Sequence, residues 1–303
     1  MTRPTLADLG LSAGKSVRLG RMLNQHGPGG STLLVLPVDQ GMEHGPRDFF
    51  VNPASLDPDY VFSLAADTGY SAIAVQFGLA NKYVGRYAGA VPLILKLNGK
   101  SEIPPANAPR SPLTARVEDA VRIGADAIGY TLYFGSAQQE TDFENFSQVR
   151  LEAERAGLPV VVWAYPRGEH IDAKGGRDSI YAIDYAARVA SELGADVIKV
   201  NYPVQNPDGS VGPVDGAPAP YDSKVWPDMG SALRQVMSSA ANSMVIMSGG
   251  SRVGDEELLE RVELSMQVGA TGFIYGRNIW QRERSASEAI IAKIKDCMRG
   301  YAL

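Results

Sequence analysis

Two kinds of segment alternate along this chain: amphipathic stretches with apolar residues at helical spacing, and short continuous apolar runs. In four places the amphipathic stretch ends at a glycine and an apolar run follows at once. These copies are 60–68, Gly69 and 71–76; 116–123, Gly124 and 125–133; 181–193, Gly194 and 195–202; and 256–268, Gly269 and 270–276. Glycine suits the left-handed position that closes a helix, and a continuous apolar run suits a strand covered on both faces. The pattern therefore predicts repeated helix–strand units.

The apolar runs decide the fold class, because they number eight. A looser copy of the unit supplies 159–165, and three further strand-like runs complete the set. The eight predicted strands are 32–38, 71–76, 92–97, 125–133, 159–165, 195–202, 244–249 and 270–276. Alternation of strand and helix implies a parallel sheet, and eight repeats favour a closed (β/α)8 TIM barrel. An open doubly wound sheet is the main rival.

Two segments lie outside the repeat, and neither marks a domain boundary. Residues 1–31 predict a helical N-terminal arm before the first strand. Residues 203–227 form a long Pro- and Gly-rich loop after strand six, of a length that is usually either functional or disordered. We expect residues 1–303 to form one barrel domain with these two additions.

Composition excludes several classes of protein. The 303 residues carry a formal charge of −5 and no block of five or more basic residues, which argues against a nucleic-acid partner. No apolar run approaches the ~18 residues of a membrane span, and residues 1–14 lack a signal-peptide core. The single cysteine, Cys297, excludes an intrachain disulfide framework. The expectation is a cytoplasmic protein without a membrane partner.

Two lysines interrupt apolar runs. Lys199 lies in the predicted sixth strand and Lys96 in the third. An ammonium in such a place costs several kcal/mol unless it is paired or neutral, so each lysine indicates either a salt bridge or amine chemistry. Local pattern does not separate the two.

Barrel enzymes place their chemistry at the carboxyl ends of the strands, and the end of strand one is rich in functional groups. Asp39 follows the apolar run there, and Glu43 and His44 follow in the same loop. Asp39 is either a site residue or a turn aspartate before Gly41. The spacing of the three groups matches no metal-ligand motif, so no metal is expected.

Strand five ends in Trp163, Tyr165 and Arg167, which alternation places on one side of the strand. If that side is the lumen, a phenol and a guanidinium enter the site. The alternative is a packed aromatic residue beside a solvated arginine.

Glycine-rich turns follow strands seven and eight, where barrels often bind phosphate. Ser248, Gly249 and Gly250 end strand seven, and Gly276 and Arg277 end strand eight. Backbone N–H groups and a guanidinium suit a phosphate group, whereas plain turns are the alternative.

An interior lysine, a tyrosine, an aspartate and a phosphate cradle together suit imine chemistry on a phosphorylated ketone. Burial lowers the pKa of a lysine, and its free amine can then attack a carbonyl. Tyr165 is the candidate acid/base, and we expect a nearby cation to lower its pKa. This chemistry requires neither a cofactor nor a metal.

The residues that carry these functions resemble one enzyme family. The segments 39–46, 163–168, 198–201, 248–250 and 275–277 are similar, in order, to the archaeal-type (DhnA-type) class I fructose-1,6-bisphosphate aldolases. The resemblance implies a Schiff-base lysine at Lys199, an acid/base at Tyr165 and a matching aspartate at Asp39. It makes Lys96 an ion-pair or proton-relay neighbour, and it places substrate phosphate on 248–250 and 276–277. We expect Trp163, Arg167, His44 and Lys96 to contact substrate.

The resemblance implies a reversible, metal-independent cleavage of fructose 1,6-bisphosphate to dihydroxyacetone phosphate and glyceraldehyde 3-phosphate, in glycolysis and gluconeogenesis. It also implies a homo-oligomer, such as a decamer or another large ring. Many members have His where this chain has Gln40, which is a mild departure. Alternatives on the same scaffold are a transaldolase-like synthase of aromatic precursors and an acyl-transferring thiolase acting on a phosphorylated autoinducer product. A non-catalytic sugar-phosphate-binding barrel is the remote alternative.

Overall fold

Eight parallel strands close into a barrel in the computed structural model, which describes residues 3–250 and 252–303. The strands pair in chain order, and β1 pairs with β8 to close the ring. They are β1 (Leu33–Val38), β2 (Ala72–Gln76), β3 (Leu93–Lys96), β4 (Ala127–Phe134), β5 (Val160–Pro166), β6 (Val197–Val200), β7 (Met244–Ser248) and β8 (Gly272–Ile274). The predicted (β/α)8 TIM barrel is confirmed, and the open-sheet rival is excluded.

Helices connect the strands and pack around the barrel. The α-helices are α1 (Ala13–Gly20), α2 (Gln40–His44), α3 (Pro58–Asp67), α4 (Phe77–Tyr83), α5 (Val117–Arg122), α6 (Gln139–Ala156), α7 (Glu169–Asp172), α8 (Ile180–Glu192), α9 (Met229–Ser239), α10 (Asp255–Gln267), α11 (Arg277–Trp280) and α12 (Arg284–Arg299). Short 3-10 turns span Leu6–Asp8, Gly45–Val51, Pro53–Leu56 and Val84–Tyr87, and a π-helical turn spans Arg21–Gln25. Among the described residues, no helix combines the length and apolar character that crossing a bilayer requires.

Seven of the eight strands begin one or two residues later than the predicted runs, whereas β7 begins at Met244 as predicted. Aspartates precede two of the later starts. Asp126 and Asp196 lie just before β4 and β6, and each carboxylate accepts a hydrogen bond from a backbone N–H of the neighbouring strand. The Leu93 N–H donates to Asp126 over 3.1 Å, and the Val160 N–H donates to Asp196 over 2.7 Å. These carboxylates therefore satisfy backbone donors of the neighbouring strands at the strand starts.

The N-terminal arm fills the amino end of the barrel. Leu19, Met22 and Leu23 are buried there, in one apolar cluster with lumen residues of the strands. Lys15 of α1 forms ion pairs with Asp196 at 2.9 Å and with Glu154 at 2.8 Å. The arm thus closes the end opposite to the expected site. The first two residues of the predicted arm, Met1 and Thr2, lie outside the described residues.

The loop at 203–227 packs against α8. Within it, Val211 and Trp226 form an antiparallel β-bridge, and both residues are buried. The Tyr221 hydroxyl donates to the Asp184 carboxylate of α8, and its ring lies 5.9 Å from that of Trp226. The loop is therefore a folded wall beside the carboxyl end of β6.

Candidate active site

Both interior lysines point into the lumen, and their amines lie over the same aromatic ring. Lys199 of β6 pairs in register with Trp163 of β5. The Lys96 Nζ lies 4.2 Å from the centre of the Trp163 ring, and the Lys199 Nζ lies 5.4 Å from it. Lys96 and Lys199 are 1% and 5% exposed. The lysines that the sequence could not separate are therefore neighbours in one site.

A glycine makes room for this arrangement. Gly129 of β4 pairs in register with Lys96. A Cβ at this position would lie 2.8 Å from Lys96 Cδ and 2.8 Å from Trp163 Cζ3. Any larger residue would displace the lysine stem or the indole, so Gly129 sets the spacing of the pair.

Burial controls the protonation of Lys199. It lowers the pKa of this amine from 10.5 to about 8; Asp39 opposes the shift, and the positive charge of Lys96 reinforces it. Burial lowers the pKa of Lys96 to about 8 as well, against the opposing charges of Asp39 and Glu43. A pKa near 8 leaves a usable fraction of free amine at neutral pH.

Tyr165 lies against Lys199, whose amine donates a hydrogen bond to the phenol oxygen. Burial raises the pKa of Tyr165 well above 10, and Asp39 and Glu43 raise it further. The Arg167 guanidinium lies 5.0 Å from the ring centre and opposes the shift, but burial outweighs it. The expectation of a lowered tyrosine pKa is therefore wrong, because desolvation exceeds the effect of the one nearby guanidinium. The resting residue is a neutral phenol.

A small cavity of about 20 Å³ lies beside the phenol, on the side of strands one to four. Its lining includes Asp39, Glu43, Gln76, Lys96, Asn98, Lys100, Thr131, Tyr133 and Tyr165. Such a polar volume is large enough for one water molecule or one hydroxyl group. Asp39, the predicted strand-one residue, therefore faces both Tyr165 and Lys96.

Sequence reasoning missed the residues that hold Lys96. The Lys96 Nζ donates to Thr131 Oγ1 over 2.5 Å. Asn98 fixes the backbone of Thr131, because its Oδ1 accepts from the Thr131 N–H and its Nδ2 donates to the Thr131 carbonyl. The available signal was Thr131 itself, which shares the lumen side of β4 with Gly129 two positions earlier.

A larger cleft of about 690 Å³ opens on the other side, over strands six to eight. Ser248, Gly250 and Arg277 line it, as do Arg167, Arg177 and Arg261. Its size is within the usual range for small-molecule sites. Asp178, Glu257 and Glu260 also line it, and Arg177 and Arg261 pair with Asp178 and Glu257. Arg167 and Arg277 are therefore the arginines that suit an anionic ligand. The predicted phosphate loops therefore meet at one cleft. Missed lining residues include Asn201, whose Oδ1 accepts from Ser248 Oγ over 2.5 Å.

The two glycine loops are held close to their neighbours. A Cβ at Gly249 would lie 2.6 Å from Asn278 Nδ2, and one at Gly276 would lie 2.7 Å from Gln40 Nε2. Arg277 donates to the Gly250 carbonyl over 3.3 Å. A Cβ at 249 or 276 would therefore displace its neighbours; both glycines are buried, and Gly250 is the glycine that lines the cleft.

Five predicted site residues line neither cavity: Lys199, Gly249 and Gly276, and also His44 and Trp163. The His44 Nδ1 forms a 2.6 Å contact with the Asp48 carboxylate. Trp163 is 1% exposed and forms the floor beneath the two amines. The surroundings of His44 and Trp163 point to positioning of neighbouring groups.

The sequence and fold both have known counterparts. Residues 33–282 match the DeoC/LacD family aldolase profile. The class 1 fructose-bisphosphate aldolase of Thermoproteus tenax is 39% identical over 250 residues, which cover 82% of this chain and 83% of that protein. The enzyme of the same name from Halobacterium salinarum strain R1 is 38% identical over 255 residues, with coverage of 84% and 86%.

A solved structure of an archaeal fructose-1,6-bisphosphate aldolase shows its catalytic lysine covalently bound to the carbinolamine intermediate of the substrate. It superposes with a TM-score of 0.76 at 34% identity, covering 91% of this chain and 99% of that one. The similarity spans the whole barrel, from β1 to the helix after β8. The chain therefore belongs to the DeoC/LacD family of aldolases, among the class I fructose-bisphosphate aldolases of the archaeal type.

Proposed function

We propose that this protein is a class I aldolase that cleaves fructose 1,6-bisphosphate reversibly to dihydroxyacetone phosphate and glyceraldehyde 3-phosphate, through an imine on Lys199. The observation that carries the proposal is the Lys199 amine itself. It is buried, has a pKa lowered to about 8, and donates a hydrogen bond to Tyr165 at the carboxyl end of the barrel. These are the conditions under which a lysine attacks a ketone.

The chemistry begins with attack of the neutral Lys199 amine on the C2 carbonyl of the open-chain sugar. The neutral Tyr165 phenol suits protonation of the hydroxyl that leaves as water, which generates the iminium. Loss of the C4 hydroxyl proton then breaks the C3–C4 bond, and the bonding electrons move into the enamine. Asp39, across the small cavity, is the carboxylate proposed to assist these proton transfers. Protonation of the enamine at C3 and hydrolysis release the second product.

The phosphate next to the reacting ketone is proposed to bind the loops Ser248–Gly250 and Gly276–Arg277. Support comes from Ser248, Gly250 and the Arg277 guanidinium, which line one cleft. Arg167 borders the same cleft and faces Tyr165, so it can contact substrate between the two phosphates.

Several properties of the whole protein follow from the family and belong to the same proposal. We expect a single-domain, metal-independent enzyme of the cytoplasm that works in glycolysis and gluconeogenesis and assembles as a homo-oligomer. Light scattering on the purified protein measures the assembly directly.

Borohydride trapping tests the proposal. Reduction in the presence of dihydroxyacetone phosphate should fix one adduct, which peptide mass spectrometry should map to Lys199. Lys199→Met should abolish both the adduct and cleavage of fructose 1,6-bisphosphate. Activity in Lys199→Met, or loss of wild-type activity on treatment with EDTA, would contradict the proposal. Turnover of the transaldolase-like or thiolase substrates, with none of fructose 1,6-bisphosphate, would assign a different reaction to the same imine.

A further inference from the structure

Asn201 follows Lys199 by two residues, at the point where β6 has ended. Side chains two apart on a strand point to the same side, so Asn201 shares the lumen side of Lys199. It lies about 7 Å farther along the chain, toward the carboxyl end of the barrel. The parallel register of β6 and β7 carries Asn201 beside Ser248. Both residues line the large cleft, together with Arg277.

Two neighbours fix the orientation of the Asn201 carboxamide. Its Nδ2 lies 3.5 Å from the Asp178 carboxylate, which can only accept hydrogen bonds. Its Oδ1 accepts a hydrogen bond of 2.5 Å from the hydroxyl of Ser248, a residue that is 5% exposed. The reversed amide would place its oxygen against the charged oxygen of Asp178. The carboxylate therefore determines that the Ser248 hydroxyl is the donor to Asn201.

Asp178 is itself held in place by its neighbours. The Val204 N–H, in the loop after β6, donates to the Asp178 carbonyl over 2.8 Å. The Arg177 guanidinium lies 3.4 Å from the Asp178 carboxylate and offsets part of its charge. Asp178 can therefore hold the Nδ2 group of Asn201 while its repulsion of an anion in the cleft is reduced.

This arrangement decides which side chain can donate to a phosphate group. The Ser248 proton is directed to Asn201, so the hydroxyl turns lone pairs toward the cleft, and these repel a phosphate oxygen. The Asn201 Nδ2 carries two N–H groups, of which Asp178 accepts one. The second N–H is a donor at the cleft, and hydrogen bonds to charged oxygens are stronger than those between neutral groups.

We propose that Asn201 is a phosphate-recognition residue: its NH2 group donates to the phosphate next to the reacting ketone, and Ser248 holds the carboxamide in that orientation. The inference deepens the proposed function and rests on it, because it names a contact of the same substrate. The class of ligand selected is a ketone with a phosphate ester on the adjacent carbon. Arg277 supplies positive charge in the same cleft, and Asn201 supplies direction.

Borohydride trapping with two ketones tests the inference. Dihydroxyacetone has the ketone of dihydroxyacetone phosphate and lacks its phosphate. At low concentrations of dihydroxyacetone phosphate, Asn201→Ala should lower the rate of trapping at Lys199 by about 10- to 100-fold, which corresponds to one hydrogen bond to a charged group. The rate with dihydroxyacetone should stay within about twofold of the wild-type rate, because this ketone makes no phosphate contact.

Steady-state turnover of fructose 1,6-bisphosphate provides a second measurement. In Asn201→Ala, KM should rise by about the factor lost in trapping while kcat changes little, because the contact exists before and during the reaction. Asn201→Asp keeps the acceptor for Ser248 and replaces the NH2 group by a charged oxygen, so it should weaken phosphate binding further. Asn81→Asp makes the same change on an exposed residue of α4 and should leave both rates unchanged.

Ser248→Ala tests the orientation of the carboxamide. If the hydroxyl acts by holding Asn201, this variant should lower the rate with dihydroxyacetone phosphate less than Asn201→Ala does. It should have no further effect in the Asn201→Ala background. Effects that multiply in the double variant would overturn the role of Ser248, because its hydroxyl would then act on the phosphate by itself.

The role of Asn201 has its own contrary outcomes. Equal losses with both ketones in Asn201→Ala, or a lower kcat with KM unchanged, would overturn it, because a displaced Lys199 would produce these results. If the wild-type protein forms no adduct at Lys199 with either ketone, the proposed function fails. If the wild-type protein forms the adduct and Asn201→Ala traps dihydroxyacetone phosphate at the wild-type rate, only the role of Asn201 fails.

Discussion

Removing the charge of Lys15 should destabilise the barrel and leave its chemistry intact. Lys15 is 4% exposed and forms ion pairs with Asp196 and with the half-exposed Glu154. Asp196 is 8% exposed, so Lys15→Met would leave a buried carboxylate whose main remaining partner is the Val160 N–H. Its partner Asp196 lies at the amino end of β6, three residues and about 10 Å along the strand from Lys199.

The expected magnitude follows from the cost of breaking a buried pair, which is about 3–5 kcal/mol. Because Asp196 keeps one backbone donor, we expect the lower end, about 3 kcal/mol. At ~2 °C per kcal/mol for a chain of this size, the Tm should fall by about 6 °C. Lys15→Met/Asp196→Asn removes both charges and should recover more than half of this loss.

Thermal unfolding and steady-state turnover, measured on the same preparations, check the prediction. Arg188→Met is the matched control, because it breaks an exposed pair with Glu192 and should change stability by less than about 0.5 kcal/mol. Burial raises the pKa of Asp196, and a carboxyl with a raised folded pKa loses stability as the pH rises through that pKa. The deficit of Lys15→Met should therefore shrink in acid. A Tm equal to that of wild type at pH 7, or a loss that deepens in acid, would refute the reasoning.

Further predictions concern the site. Tyr165→Phe should lower kcat by about 10²–10⁴-fold, because the proton donor is lost, while borohydride still traps the imine. Gly249→Ala, whose Cβ would lie 2.6 Å from Asn278 Nδ2, should raise KM about tenfold for phosphorylated substrate, measured in steady state. The wild-type kcat/KM should fall tenfold per pH unit in acid, below a pKa near 8, as Lys199 protonates; a flat profile down to pH 5 would contradict this. Dialysis against EDTA should leave turnover unchanged. A loss of turnover that added metal restores would contradict this.

The barrel was predictable because its strands are covered on both faces and therefore read as continuous apolar runs between helix-closing glycines. Strand parity also placed Trp163 and Tyr165 on one side of strand five, and the structure shows that this side is the lumen. The first residues of the strands were harder to predict from the sequence. Asp196 adjoins an apolar run, yet its carboxylate accepts a hydrogen bond from the Val160 N–H, 36 residues earlier. Its role depends on a contact that no local pattern encodes.

The sequence predicted which functional groups are candidates for the site, but it did not predict how burial and nearby charges shift their pKa values. Lys199 and Tyr165 were identified, but the direction of the tyrosine pKa depends on burial depth, which outweighs Arg167. The partner of Lys96 was also hidden, because Thr131 comes from a strand 35 residues later. Long-range packing determines both, and a one-dimensional pattern does not contain it.

The apolar plug formed by Leu19, Met22 and Leu23 has a consequence for how the chain folds during synthesis. These side chains leave the ribosome before any strand of the barrel, yet the lumen that buries them includes residues of β7 and β8, more than 220 positions later. At about 5–20 residues per second, they wait roughly 10–50 s for that lumen to be complete. During this interval the arm exposes an apolar face, so the newborn chain is most vulnerable to aggregation before its last two strands appear.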